Sequence, residues 1–261
     1  MKRRDFFAAG SAGLATLTAT TAFAADDPAK KEYVEVRKYT VKDAEKRTKF
    51  VEILDKALIP ALNRQGIKPV GILVPAANDE KFALNVFVIV PHKTLDSFIN
   101  ANAKLAADTT YRKDAAPIFE TTSKNPVYTD CETFLLNTFP TAPVLETPSL
   151  GPERRYQLRL YRSFNIERNA AKIRMFDQGG ELPLFRETGM NPIFFGDIIA
   201  GTRQPALMYM LGFASAAKQD EAWKTFIGHP KWTEIKGKSE YADTATEIDN
   251  VVLTPSPASQ L

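Results

Sequence analysis

The sequence predicts an α+β fold in which one small module is used twice, because three landmarks recur in order along the chain. Glu35-Val-Arg37-Lys-Tyr39 returns as Gln157-Leu-Arg159-Leu-Tyr161 at an offset of 122. Pro60, Gly66 and Pro69 return as Pro183, Gly189 and Pro192 at an offset of 123, with the spacing P-x5-G-x2-P kept. Leu84-Asn-Val-Phe-Val-Ile-Val90 aligns with Leu207-Met-Tyr-Met-Leu-Gly-Phe213, again at 123, and a helical pattern bearing Phe98 or Trp223 follows each.

Within each copy the order reads strand, helix, strand, strand, helix, strand. Residues 33–39 alternate like a strand, and 43–64 place Phe50, Ile53, Leu54, Ala57, Leu58, Ala61 and Leu62 on one helical stripe. Gly66 ends that helix, and Pro60 predicts a kink or short break, since proline lacks the amide hydrogen and its ring crowds the preceding turn. Pro183 predicts the same in the second copy, where Gly179-Gly180 favours a full break. Strands are expected at 67–74 and 82–90, a helix at 93–107 and a closing strand at 128–138; the second copy ends on Glu247-Ile-Asp-Asn-Val-Val-Leu253. The copies span residues 31–138 and 154–254. The stretch 139–153 holds four prolines and a glycine and reads as a linker, and 255–261 as a C-terminal tail.

Ahead of both copies, residues 1–24 read as a signal peptide: Lys2, Arg3 and Arg4, then a mildly apolar run, then Ala22-Phe23-Ala24 as the cleavage site. Arg3-Arg4 before Asp5-Phe6-Phe7 resembles the twin-arginine export motif, implying an exported protein of the periplasm or cell envelope that begins near Ala25. The apolar run is too short and too polar to remain as a membrane span.

Of the net charge of +3, the leader carries about two, so the body is nearly neutral and a nucleic-acid partner is not expected. Cys131 is the single cysteine, so no internal disulfide exists, and its position in an apparent strand suggests a buried or half-buried structural thiol. The two histidines, His92 read as the cap of a helix after Pro91 and His229 before Pro230 in a surface turn, give no zinc or iron spacing, and no metal site is expected. Neither a G-x-S-x-G elbow nor a glycine-rich phosphate loop is present, so hydrolase and nucleotide-binding readings lack support. Trp223 and Trp232 read as anchors for the last helix.

Val34-Glu-Val-Arg37-Lys-Tyr39, Tyr156-Gln-Leu-Arg159-Leu-Tyr161, the Gly-x2-Pro of each copy and His229-Pro230-Lys231-Trp232 together resemble the NIPSNAP family. The resemblance covers both copies. It implies two ferredoxin-like modules pairing as a dimeric α/β barrel, here within one chain, in a superfamily that includes small monooxygenases and haem proteins. It carries no settled reaction, and a homo-oligomer remains open. Copy one departs from it, with Tyr111 and Arg112 near where Pro-x-Trp is expected.

Strand alternation gives Val34, Val36, Tyr156, Leu158 and Leu160 one face and Glu35, Arg37, Tyr39, Gln157, Arg159 and Tyr161 the other. If the helices cover the apolar face, the polar one lies inside the barrel. Arg37, Tyr39, Arg159, Tyr161 and Glu35 would then line a cavity for a small anionic or carbonyl-bearing molecule. The alternative is a self-satisfied network filling the barrel. Two rival functions stay open by fold analogy: an oxidoreductase, cofactor-free or haem-dependent, and a non-catalytic interaction module. No cofactor is expected unless haem is held by a histidine. The export reading makes a direct prediction: replacing Arg3 and Arg4 with lysine holds the precursor in the cytoplasm on fractionation, whereas unchanged export means the general secretory route is used.

Overall fold

The computed structural model describes residues 31–261, so the leader read at residues 1–24 lies outside the described residues. Eight strands close into an antiparallel barrel: β1 (Tyr33–Thr40), β2 (Gly71–Pro75), β3 (Asn85–His92), β4 (Asp130–Thr138), β5 (Arg155–Arg162), β6 (Asn191–Ala200), β7 (Ala206–Phe213) and β8 (Glu247–Pro255). Their order around it is β1-β3-β2-β8-β5-β7-β6-β4. The first four strands lie as β4-β1-β3-β2 and the last four as β8-β5-β7-β6, joined by the short β2–β8 ladder and by β4–β6, which carries a bulge between Leu135 and Leu136. The helices sit outside this barrel.

In the first half, α1 (Ala44–Ile53) is capped by Asp43, whose carboxylate accepts from the Lys46 amide. It passes through a π-helical turn, Leu54–Leu58, into α2 (Ile59–Arg64). In that turn Ile59 N–H donates to the Leu54 carbonyl, the wider winding that relieves crowding just before Pro60. Thr94 caps α3 (Leu95–Ala107), and short helices α4 (Thr109–Asp114) and α5 (Ala116–Phe119) follow. In the second half, α6 (Ile166–Asp177) and α7 (Glu181–Glu187) are separated by Gly179 and by Gly180, whose φ of 96° favours glycine. Ser215 caps α8 (Ala216–Gly228), and α9 (Pro230–Gly237) follows.

The structure reverses the expected strand faces. Val34, Val36, Phe87, Ile89, Phe134, Leu136, Leu158, Leu160, Met208 and Met210 belong to one core inside the barrel. Tyr39 packs instead with Phe50, Leu54 and Leu58 under the first helix layer, and Tyr161 with Phe176, Phe185 and Phe226 under the second. The physical reason is that an eight-stranded barrel is narrow enough for its own side chains to fill, and here large apolar residues do so. Apolar branched residues from both halves meet there without needing partners, whereas the polar row finds partners on the helices. The space left inside is about 40 Å³.

Both barrel ends are closed. At one end Lys38 pairs with Glu132, and Arg203 with Glu247 and Asp249. At the other, Leu145 and Leu150 of the 139–153 segment and Leu261 join the barrel core. That segment is ordered against the body, with Thr141 bonded to Asp177 and Arg186 to Glu146. The tail runs beside β2, where Gln260 N–H donates to the Val70 carbonyl and Ser259 accepts from Ile72 N–H. A Cβ on Gly71 would lie 2.5 Å from the tip of the Leu261 side chain, which would have to shift to admit it.

One register differs from the sequence alignment. Arg37 faces Val88 and Arg159 faces Tyr209, so β3 and β7 correspond at an offset of 121, two residues from the 123 read from sequence. A slip of two keeps every side chain on its face. Filling of the barrel predicts that Leu158→Ala, at a site 4% exposed, lowers stability by about 2–5 kcal/mol in chemical denaturation. Ile166→Ala, at a site 78% exposed, should change it by less than about 0.5 kcal/mol.

Candidate functional site

In each half a pocket lies between sheet and helices with the polar row of β1 or β5 as its floor. The first, about 350 Å³, is lined by Arg37, Tyr39, Phe50, Tyr111, Tyr128 and Cys131 among others. The second, about 490 Å³, is lined by Arg159, Tyr161, Lys172, Glu181, Tyr209 and Trp223, with Trp232, Ile227 and Ile248 toward its rim. Both volumes fall within the usual range for small-molecule sites. The five residues expected to line one cavity within the barrel are therefore divided between two pockets outside it, with Glu35 behind the first.

In the first half, Arg37 is committed. Its Nε donates to Glu35 Oε1 at 2.6 Å and its Nη2 to Glu35 Oε2 at 2.9 Å, with a further 3.3 Å bond to Asn102 Oδ1. Glu35 Oε2 lies 3.1 Å from His92 Nε2, and His92 Nδ1 lies 3.0 Å from Ser97 Oγ. An ionised Glu35 only accepts, so Nε2 carries the hydrogen, and in the neutral imidazole Nδ1 accepts from the Ser97 hydroxyl. Burial opposes the charge on Glu35, but the His92 hydrogen bond and the Arg37 guanidinium outweigh it and hold the carboxyl below its ordinary value. Burial also opposes the charge on Arg37, yet Glu35 raises its proton affinity further. Burial pushes the Tyr39 phenol up, so it stays protonated.

In the second half the partners are gone. Gln157 stands where Glu35 does, and Phe213 where His92 does, since Tyr33 faces His92 and Arg155 faces Phe213. The Gln157 Oε1 is taken by Trp223 Nε1 at 2.6 Å and Gln219 Nε2 at 3.1 Å, and its Nε2 donates to Asn250. Arg159 has no ion pair among the described residues, and its buried Nε lacks a hydrogen-bond partner. The guanidinium lies 5.1 Å from the Trp223 ring and 5.3 Å from the Tyr161 ring, within cation–π reach. Lys172 in the same pocket is 3.2 Å from Glu181. Burial raises the proton affinity of Glu181, with Lys172 pulling the other way, and burial raises that of Tyr209, whose hydroxyl is 3.2 Å from that of Tyr161.

The readings of His92 and Cys131 are corrected here, and that of the tryptophans is extended. His92 ends β3 inside the Glu35 network, while Thr94 caps the helix; His229 itself caps α9, accepting from Lys231 N–H at 3.2 Å. Cys131 is exposed at the rim of the first pocket rather than buried in a core. Trp223 and Trp232 anchor their helices and also wall the second pocket. Sequence reading missed Lys172, Glu181 and Tyr209. The signal for Lys172 was its place three and four residues before Met175 and Phe176, on the buried stripe of α6. A histidine-held haem does not fit, because both His92 nitrogens are engaged and His229 lines neither pocket. Among the described residues no group of three or more His, Cys, Asp or Glu is placed to hold a metal ion, and no helix is long and apolar enough to cross a membrane.

No protein-family model matches the chain, and no curated protein does. Solved structures do. A candidate monooxygenase from Lactobacillus acidophilus aligns over 86% of this chain and 94% of its own, at 14% identity and a TM-score of 0.57. An anthrone oxidase-like protein aligns over 87% and 92%, at 9% identity and a TM-score of 0.53. A NIPSNAP family protein from Agrobacterium tumefaciens covers 41% of this chain and 98% of its own, at 16% identity and a TM-score of 0.37. The two longer likenesses show that the fold is shared.

The unequal wiring predicts unequal mutants. Arg37→Ala strands the buried Glu35 and should cost about 3–5 kcal/mol, whereas Arg159→Ala should cost no more than about 1 kcal/mol, both read from denaturant melts. Because the Glu35 carboxyl is depressed on folding, its contribution is present at neutral pH and is lost as pH falls through and below the ordinary carboxylate range. Glu35→Gln should remove that acid-side component of the pH dependence.

Proposed function

We propose that the protein binds a small planar anion, an aromatic carboxylate or phenolate, in the second-half pocket. The observation that carries this is Arg159, a guanidinium without a carboxylate partner set between the Trp223 and Tyr161 rings. Lys172 is neutralised locally by Glu181, so Arg159 leaves the pocket floor with one uncompensated positive charge. Aromatic walls supply faces for a planar ring, and the exposed Ile227 and Ile248 give the mouth an apolar rim.

An oxidoreductase acting on a neutral phenol or enol in the same pocket is the second reading, favoured by Glu181. A buried carboxyl with raised proton affinity in the same pocket suits a group that accepts a phenolic proton. The names of the structural neighbours, a candidate monooxygenase and an anthrone oxidase-like protein, point the same way. We further read the two halves, residues 31–138 and 154–254, as copies of one NIPSNAP-like module. Their matching strand orders and the repeated Arg-x-Tyr support this. Export by the twin-arginine route is proposed on Arg3-Arg4 and Ala22-Phe23-Ala24.

Both tryptophans of the chain are in the second pocket, so their fluorescence reports on it. 2-Naphthoate should quench that emission saturably, and Arg159→Gln should weaken its binding by about tenfold or more, the worth of a charge-assisted hydrogen bond. Unaltered affinity in that variant removes the anion site. For the second reading, oxygen uptake with anthrone should be lost in Glu181→Gln while naphthoate binding persists.

A further inference from the structure

We infer that the first-half pocket is a second binding site, for an uncharged aromatic carbonyl compound, separate from and chemically unlike the anion site around Arg159. This inference does not rest on the second-half reading. The walls are aromatic: Phe50, Tyr111, Phe119 and Tyr128 line the cavity, and the Tyr39 ring sits 5.0 Å from those of both Phe50 and Tyr128. The floor is polar, formed by Arg37, Tyr39, Cys131 and Thr133.

The charge at that floor is already balanced. Glu35 takes the Arg37 Nε and Nη2 hydrogens, so a carboxylate arriving at Arg37 would meet a guanidinium whose field is largely cancelled and a second carboxylate behind it. Hydrogen-bond donors nevertheless remain. Arg37 Nη1 has no carboxylate or carbonyl partner among the described residues, and the Tyr39 hydroxyl that the guanidinium supports keeps its own proton to donate. Donors without net charge suit a carbonyl oxygen, which accepts without bringing a charge. Arg112 at the rim is exposed over the Phe119 ring, where solvent and salt screen its charge. In the second half Gln157 and Ile248 replace Glu35 and Cys131, so the two pockets share a frame and differ in charge and in their polar floor.

The chain supplies a reporter for each pocket: Cys131, its single cysteine, at the rim of the first, and both tryptophans in the second. The test uses two probes of nearly the same shape, neutral 2-acetonaphthone and anionic 2-naphthoate, on the protein from Ala25 onward. At saturation 2-acetonaphthone should slow iodoacetamide alkylation of Cys131 by about fivefold or more, as expected when occupied protein is unreactive, and 2-naphthoate by less than about twofold. Ala106→Phe, on the exposed pocket-facing side of α3, should abolish the protection, with the rate ratio taken within the variant. Equal protection by both probes, protection by neither, or protection that persists in Ala106→Phe overturns the inference. Because tryptophan quenching is read independently, failure here is distinguishable from failure of the anion site.

Discussion

The large apolar side chains of the eight strands leave only about 40 Å³ inside the barrel, and this filling turns most polar residues of the sheet toward the helices or the barrel ends. Each strand has two buried faces, one toward the barrel axis and one toward the helices. The axial face must be filled by residues that need no partner, since charges from opposite strands would meet there without water. Val36, Phe134, Leu158 and Met208 meet that condition. The row bearing Arg37, Tyr39, Arg159 and Tyr161 is thereby turned outward, where helix side chains can answer it and where cavities of useful size remain.

Given that shared frame, the first difference between the halves is at one strand position. A carboxylate at position 35 locks Arg37 and recruits His92 and Ser97; an amide at position 157 binds Trp223 and leaves Arg159 without a counter-charge. The first arrangement is a structural network in which removing one member exposes the cost of the others. The second leaves a guanidinium between aromatic rings, with its Nε unpartnered among the described residues. Two pockets built on the same strand order thus differ in charge.

Much of this was legible in the sequence. The alternation in 33–39 and 155–161, the helix stop at Gly66, the break at Gly179-Gly180 and the disturbance before Pro60 all follow from local rules and all appear in the fold. The pairing of Arg37 with Glu35 was also within reach, since residues two apart on a strand share a face. Which face turns toward the axis was not legible, because both faces of β1 and β5 are buried and parity alone does not order them. His92 was misread for a related reason: the boundary between β3 and α3 lies two residues later than the Pro91 signal suggests, so a strand-end network residue looked like a cap. Lys172 and Glu181 are distant partners whose meeting depends on the α6–α7 turn, which no local pattern encodes.

The proposed placement of an anion outside the barrel and beside Arg159 can be tested directly. Crystals grown with 6-bromo-2-naphthoate should give one anomalous bromine peak per chain, between the sheet and α8 and α9, within reach of Arg159 and Trp223. A peak inside the barrel among Val36 and Leu158, or one seated on Arg37 in the first half, would contradict it.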